Sequence, residues 1–217
     1  MNNIAKLIKK LIDYGVKYRI TLPVICFILG LSASHIIIDS NDLPENINTF
    51  SIQNSITTCF TPPKGCAKLI EKIILSTKNN LYIQAYGFTH PEIIDAILHV
   101  AKKGVKVTII LDKSNITSAY SGIKKCHAAN IPVFIDTVAS ISHNKIILSD
   151  IYSNNRTLIT GSFNFSKNAD TRNAENLLVI KQKDIILNYK KNFDLRLNKS
   201  LYYTDYIKKY EHRYKKK

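Results

Sequence analysis

The sequence is poor in acid. Sixteen Asp and Glu stand against 31 Lys and Arg, a formal charge of +15 over 217 residues. That excess favours a polyanion, either nucleic acid or an anionic lipid surface, and does not choose between them. Tryptophan is absent, and Ile, Asn and Lys are abundant. Base composition produces such a bias, so part of the charge needs no partner. The four Cys show no C-x-x-C spacing and the six His are scattered. This excludes a zinc pattern, and no metal or cofactor is expected. No segment repeats, so any motif is present once. The length suits one ordinary domain with at most an appendage.

Residues 1–20 carry Lys6, Lys9, Lys10, Lys17 and Arg19, and residues 20–38 are mostly apolar. Residues 1–38 therefore read as a signal peptide or membrane anchor. The run approaches the ~20 residues that span a bilayer. Pro23, Ser32, Ser34 and His35 weaken an uncleaved anchor, and Ser32-Ala-Ser34 supplies small residues for cleavage. Positive charge ahead of the run sends the rest across the membrane, so a secreted or periplasmic location is expected. Residues 39–57, polar and containing Pro44, read as a linker. The folded domain is expected over 58–200, with a basic tail over 201–217.

Within the domain, strands and helices alternate. Cys66–Thr77 has a helical apolar stripe, and Leu81–Tyr86 reads as a strand. Thr89 and Pro91 open a helix that Gly104 ends. Val105–Leu111 is a strand, 117–130 a helix, Ile131–Ile135 a strand, 167–176 a loop, Leu177–Ile180 a strand and Asp184–Asn198 a helix. Strand–helix–strand order implies right-handed crossovers. The fold class is α/β: a mixed, mostly parallel central sheet with helices on both faces. Asp112–Asn115 follows a strand end, where such sheets place ligand sites. His90 and His99 are read as exposed on their helix. Cys59 and Cys66 bound a short loop that a disulfide would close in an exported protein. The Tyr-rich stretch Tyr202–Lys217 reads as a solvated, frayed helix.

The stretch from His143 to Glu175 concentrates the chemistry. His143 and Lys145 fall two apart, which places them on one face of a strand. Ile146-Ile-Leu148 continues as a strand buried on both sides. Arg156–Thr160 forms the next strand, and Gly161 permits a tight turn at its end. If the two strands are neighbours, His143, Lys145, Ser162 and Asn164 converge. A neutral imidazole is a nucleophile, Lys a point cation for a phosphate oxygen, and Ser and Asn are further donors. Such a group suits a phosphodiester whose charge grows in the transition state. The plainer alternative is a polar strand that satisfies backbone groups. Burying Lys145 without an anion would cost roughly several kcal/mol, which argues against it.

His143-x-Lys145-x4-Asp150 followed by Gly161-Ser162-x-Asn164 resembles the signature of the phospholipase D superfamily. The gap from Asp150 to Gly161 is longer than is usual there, and Asn154-Asn155 marks the extended hairpin turn. Cys59–Cys66, Gln84-Ala-Tyr-Gly87, Ile135-Asp-Thr-Val and Arg172-Asn-Ala-Glu175-Asn are similar to the single-motif branch. That branch holds exported bacterial endonucleases and the rickettsial-type phospholipase D proteins.

The resemblance, over about 58–197, implies a metal-independent phosphodiesterase working through a phosphohistidine on His143. A second His protonates the leaving oxygen and then activates water. One motif per chain implies a homodimer with His143 from each copy at a shared site. Lys145 and Asn164 would bind phosphate, Glu175 would orient His143 with Ser162 in support, and Asp150 is the weakest, more structural candidate. The expected reaction is hydrolysis of phospholipid to phosphatidate and a head-group alcohol. An exported endonuclease acting on DNA or RNA is the alternative.

Overall fold

The computed structural model describes residues 49–52 and 56–210. Residues 1–48 lie outside these, so the N-terminal reading has no structural counterpart here. Among the described residues no helix is long and apolar enough to cross a membrane.

The chain runs β1 (Thr49–Ile52), β2 (Ile56–Thr61), α1 (Cys66–Ser76), β3 (Asn80–Ala85), α2 (Pro91–Lys102) and β4 (Lys106–Leu111). A 3-10 turn (Lys113–Ile116), α3 (Ile123–Ala128), β5 (Val133–Asp136), β6 (Lys145–Ser149) and β7 (Thr157–Gly161) follow. Then come α4 (Lys167–Thr171), β8 (Glu175–Ile180), α5 (Lys183–Leu197), β9 (Ser200–Tyr202) and α6 (Tyr203–Tyr210). The strands form a nine-stranded sheet in the order β1-β2-β8-β7-β6-β3-β4-β5-β9.

The mixed α/β class stands, but its parallel part is small. Only β3 with β4 and β4 with β5 run parallel; the other six pairings are antiparallel. The physical reason is connection length. A helix spans each parallel crossover, whereas β6 to β7 is a hairpin whose short connection forces reversal, and the segment with α4 returns β8 antiparallel beside β7.

Helices cover both faces. Period-two alternation sends Leu81, Ile83, Ile109, Ile147 and Leu177 toward the core beneath α1 and α2, which add Ile70, Ile74, Ile93 and Ile97. Ile110, Ile146, Leu148 and Leu158 face the other way, against Ile186 and Phe193 of α5. Helix α1 starts at Gly65 without a side-chain cap of its own. Asp170, from α4, accepts from the backbone N–H of Gly65 (3.1 Å) and Ala67 (2.9 Å) instead. A carboxylate at that end also meets the positive pole of the helix.

Several local readings change. The span read as a linker contains β1. The expected helix over 117–130 shrinks to Ile123–Ala128, because residues 117–122 form a turn beside the buried Asn115. The loop over 167–176 contains α4 and the start of β8. His90 is buried at the start of α2, while His99 is exposed as expected. The span read as a tail adds β9 to the sheet edge and then α6, whose Tyr206 is buried in the core; residues 211–217 lie outside the described set. Cys59 and Cys66 form a disulfide, and Cys126 is a buried free thiol.

Candidate active site

Strand direction gathers the chemistry at one edge of the sheet. β3 and β4 end there, β6 and β8 begin there, and β7 ends there. Lys145 pairs with Ala85 of β3, and Gly161 with Leu177 of β8. Lys145 shares its strand face with Ile147, and Glu175 shares its own with Leu177, so both side chains point to the α1–α2 side.

His143 is exposed at the entrance of β6, and its ring lies 4.6 Å from the Tyr86 ring, centroid to centroid. Among the described residues its ring makes no hydrogen bond. Lys145 is 5% exposed; its Nζ donates to the His143 carbonyl (2.7 Å) and sits 5.1 Å from the Tyr86 ring centroid. Burial pushes the Lys145 ammonium below its usual 10.5, and the negative charge of Glu175 opposes that push. As an ammonium the lysine would keep hydrogen-bonding capacity beyond the His143 carbonyl.

Glu175 is fixed through both oxygens. Ser162 Oγ donates to Oε2 at 2.5 Å, and Asn173 Nδ2 donates to Oε1 at 2.9 Å. Ser162 Oγ in turn accepts from the Asn176 backbone N–H at 3.0 Å. Asn164 Oδ1 accepts from the Gly87 N–H at 3.2 Å, which leaves its amide N–H groups as donors. Two glycines make the approach possible. A Cβ on Gly87 would sit 3.1 Å from the Asn164 side chain, and one on Gly161 (φ +148°) would sit 2.3 Å from the Asn176 carbonyl.

The structure therefore gathers His143, Lys145, Ser162, Asn164 and Glu175 around the ends of five strands. It sets Asp150 apart. Asp150 lies at the far end of β6, up to roughly 24 Å from His143 at ~3.4 Å per strand residue. Its carboxylate accepts from the backbone N–H of Lys78 (2.9 Å), Asn79 (2.7 Å) and Asn80 (3.2 Å). In this position it ties the end of β6 to the start of β3. Glu175 also meets Ser162, Asn173 and the field of Lys145, not the His143 ring.

Sequence reasoning gave no role to Tyr86 or Asp136, and read Asp112 only as part of a candidate ligand position. Tyr86 forms a wall for both His143 and Lys145. Asp112 and Asp136 anchor the loop that carries His143. Asp112 does follow a strand end, yet it faces no ligand space: it is 3% exposed and accepts from the N–H of Ser142 (2.8 Å) and Ser114 (2.9 Å). Asp136 is paired by Arg196, whose Nε lies 2.8 Å from Oδ2. Burial would raise the Asp136 carboxyl, but Arg196 and the Val138 N–H outweigh it and hold the group below its usual value. The one legible signal for Tyr86 and Asp112 was their position just past β3 and β4.

A nucleophilic imidazole, a buried ammonium and an amide at one sheet edge supply what transfer at a phosphodiester needs. Residues 70–197 match the family model described as "Cardiolipin synthase, PLD-like domain". The chain is 41% identical to "Phospholipase D" of Rickettsia prowazekii over 151 residues, covering 68% of this chain and 72% of that protein. It superposes on the crystal structure of a phospholipase D family member, Nuc from Salmonella typhimurium, with a TM-score of 0.63 and 31% identity, covering 69% of this chain and 97% of that one. NucT from Helicobacter pylori gives a TM-score of 0.61 at 27% identity, covering 68% and 99%. With the motif residues gathered at one sheet edge, these matches show that the chain belongs to the phospholipase D family and is an enzyme of the phosphodiesterase hydrolase class.

Proposed function

We propose that the protein hydrolyses phospholipid to phosphatidate and a head-group alcohol, as an exported homodimer. The gathering of His143, Lys145 and Asn164 at one edge is the observation that carries the reading. The relatives that bear the name phospholipase D, at about 40% identity, favour lipid as the substrate. Lys145 and the Asn164 amide bind the non-bridging phosphate oxygens. An imidazole nitrogen of His143 attacks phosphorus, and the P–O bond to the head-group alcohol breaks. His143 of a second copy gives that oxygen a proton. Water then attacks the phosphohistidine, the second His143 takes its proton, and the N–P bond breaks to release phosphatidate. Glu175 holds the Lys145 charge in place, with Ser162 and Asn173 fixing the carboxylate. The basic charge of the chain favours a second reading, cleavage of DNA or RNA by the same steps.

The test compares turnover of a choline phospholipid in vesicles with cleavage of single- and double-stranded DNA, chelator present, with His143→Ala as the blank. Lipid turnover that His143→Ala abolishes while the dimer persists is expected. Cleavage of DNA alone would replace the lipid reading with the nuclease one. Full turnover by His143→Ala would reject the mechanism.

A further inference from the structure

The loop that delivers His143 ends in two exposed aliphatic side chains. Val138 is 60% exposed and Ile141 59% exposed. This is not a slack loop. At one end Asp136 is paired by Arg196 and accepts from the Val138 N–H at 3.2 Å; at the other, Asp112 accepts from the Ser142 N–H at 2.8 Å. Two buried carboxylates thus hold β-branched side chains out in water, at a hydration cost that packing in this chain does not recover.

The same edge of the sheet carries further exposed aromatics. Phe60 (51% exposed) neighbours Thr61, which pairs with Glu175 of β8. Tyr120 (83% exposed) lies on the segment that leaves β4. Exposed Lys113 and Arg172 lie on the segments that leave β4 and lead into β8 at this edge. Dispersed apolar tips set among cations are the make-up of an interfacial membrane-binding face: the side chains enter the head-group boundary and the cations meet anionic lipid. The net charge of +15 draws such an edge toward an anionic bilayer.

We infer that this edge docks on an anionic bilayer, with Val138 and Ile141 as the wedge that sets His143 at the depth of the lipid phosphates. The inference rests on the phospholipid reading above. A twofold axis running along the strands, between paired sites, would carry both rims to the same side of a dimer.

The absence of tryptophan makes the test direct. Ile141→Trp in the full chain places one reporter on the wedge, and Tyr152→Trp places one at the opposite end of the sheet. Vesicles of phosphatidylglycerol and phosphatidylcholine are added, and turnover of bis(p-nitrophenyl) phosphate confirms that each variant is folded. The expected result is a blue shift and quenching by brominated lipid at position 141, weakened by salt, and neither at 152. In parallel, Val138→Ser/Ile141→Ser should lower vesicle hydrolysis about tenfold or more while leaving soluble-diester turnover within about twofold. Emission at 141 that ignores vesicles, or responds no more than at 152, overturns the inference. So does a serine variant that becomes monomeric and loses soluble turnover, which would make the loop a contact between copies. Emission reads docking without turnover: docked but unhydrolysed vesicles would reject the phospholipase reading alone, and hydrolysis without a shift would reject the wedge alone.

Discussion

Replacing Asp150 separates architecture from chemistry, because it belongs to the motif and lies at the wrong end of β6 for catalysis. Its carboxylate accepts three backbone N–H groups, at 2.9, 2.7 and 3.2 Å. Asp150→Ala leaves all three without that acceptor. Each lost bond to a charged acceptor is worth about 1.5 kcal/mol or more, and water reaches part of the exposed Lys78–Asn79 turn, so the loss should total about 3–5 kcal/mol. Asp150 also adopts φ +46°, which Asn and Gly tolerate and Ala does not, adding about 1 kcal/mol of strain. Asp150→Gly should therefore recover about 1 kcal/mol relative to Ala. Asp150→Asn should cost only about 1–2 kcal/mol, since its Oδ1 can still serve Asn79 and Asn80. At ~2–4 °C per kcal/mol for a chain of this size, the total of about 4–6 kcal/mol for Asp150→Ala should lower its melting point by about 8–24 °C. The assay pairs thermal melting with turnover of a soluble phosphodiester well below the melting point. Expected are a lowered midpoint, in the order Ala, Gly, Asn from most to least damaged, and near-normal turnover in the folded fraction. Turnover reduced about a thousandfold with an unchanged midpoint would refute the reasoning and return Asp150 to the chemistry.

Three further substitutions probe the site and its frame. Glu175→Gln removes the charge that opposes the burial of Lys145, so Lys145 should lose its proton at lower pH and the alkaline limb of the rate profile should move toward acid; an unmoved limb would show that the lysine does not feel Glu175. Gly161→Ala would force a methyl group to 2.3 Å from the Asn176 carbonyl and should cost about 3 kcal/mol or more, read by denaturant unfolding. Opening the Cys59–Cys66 link with a double Ser variant should cost up to about 2.5 kcal/mol from its short loop, less whatever Pro62 and Pro63 already restrict, and unfolding in urea measures it.

The sequence alone carried the motif, because the groups that attack and bind a phosphodiester are a local list of side chains at strand spacing. Lys145 was legible as part of a buried strand, although β6 begins at Lys145 and His143 lies just ahead of it, and Gly161 could only end the next strand tightly. It also carried the helices α1, α2 and α5, whose apolar stripes repeat within a few turns. What it could not carry depends on partners distant along the chain. The antiparallel majority of the sheet follows from β2, β6, β7 and β8 lying side by side, a choice made by packing against two cores rather than by any one strand's pattern. Asp170 caps α1 from about a hundred residues away, and Asp112 holds Ser142 from 30 residues away. Tyr206 is buried because β9 brings α6 onto the core, although it lies in a stretch rich in Lys and Tyr. Asp150 and His143 sit seven positions apart in one motif, yet an extended strand carries them to opposite ends of the sheet. A carboxylate's role is set by the N–H groups or cations that the fold brings within 3 Å of it, and only the tertiary structure decides which those are.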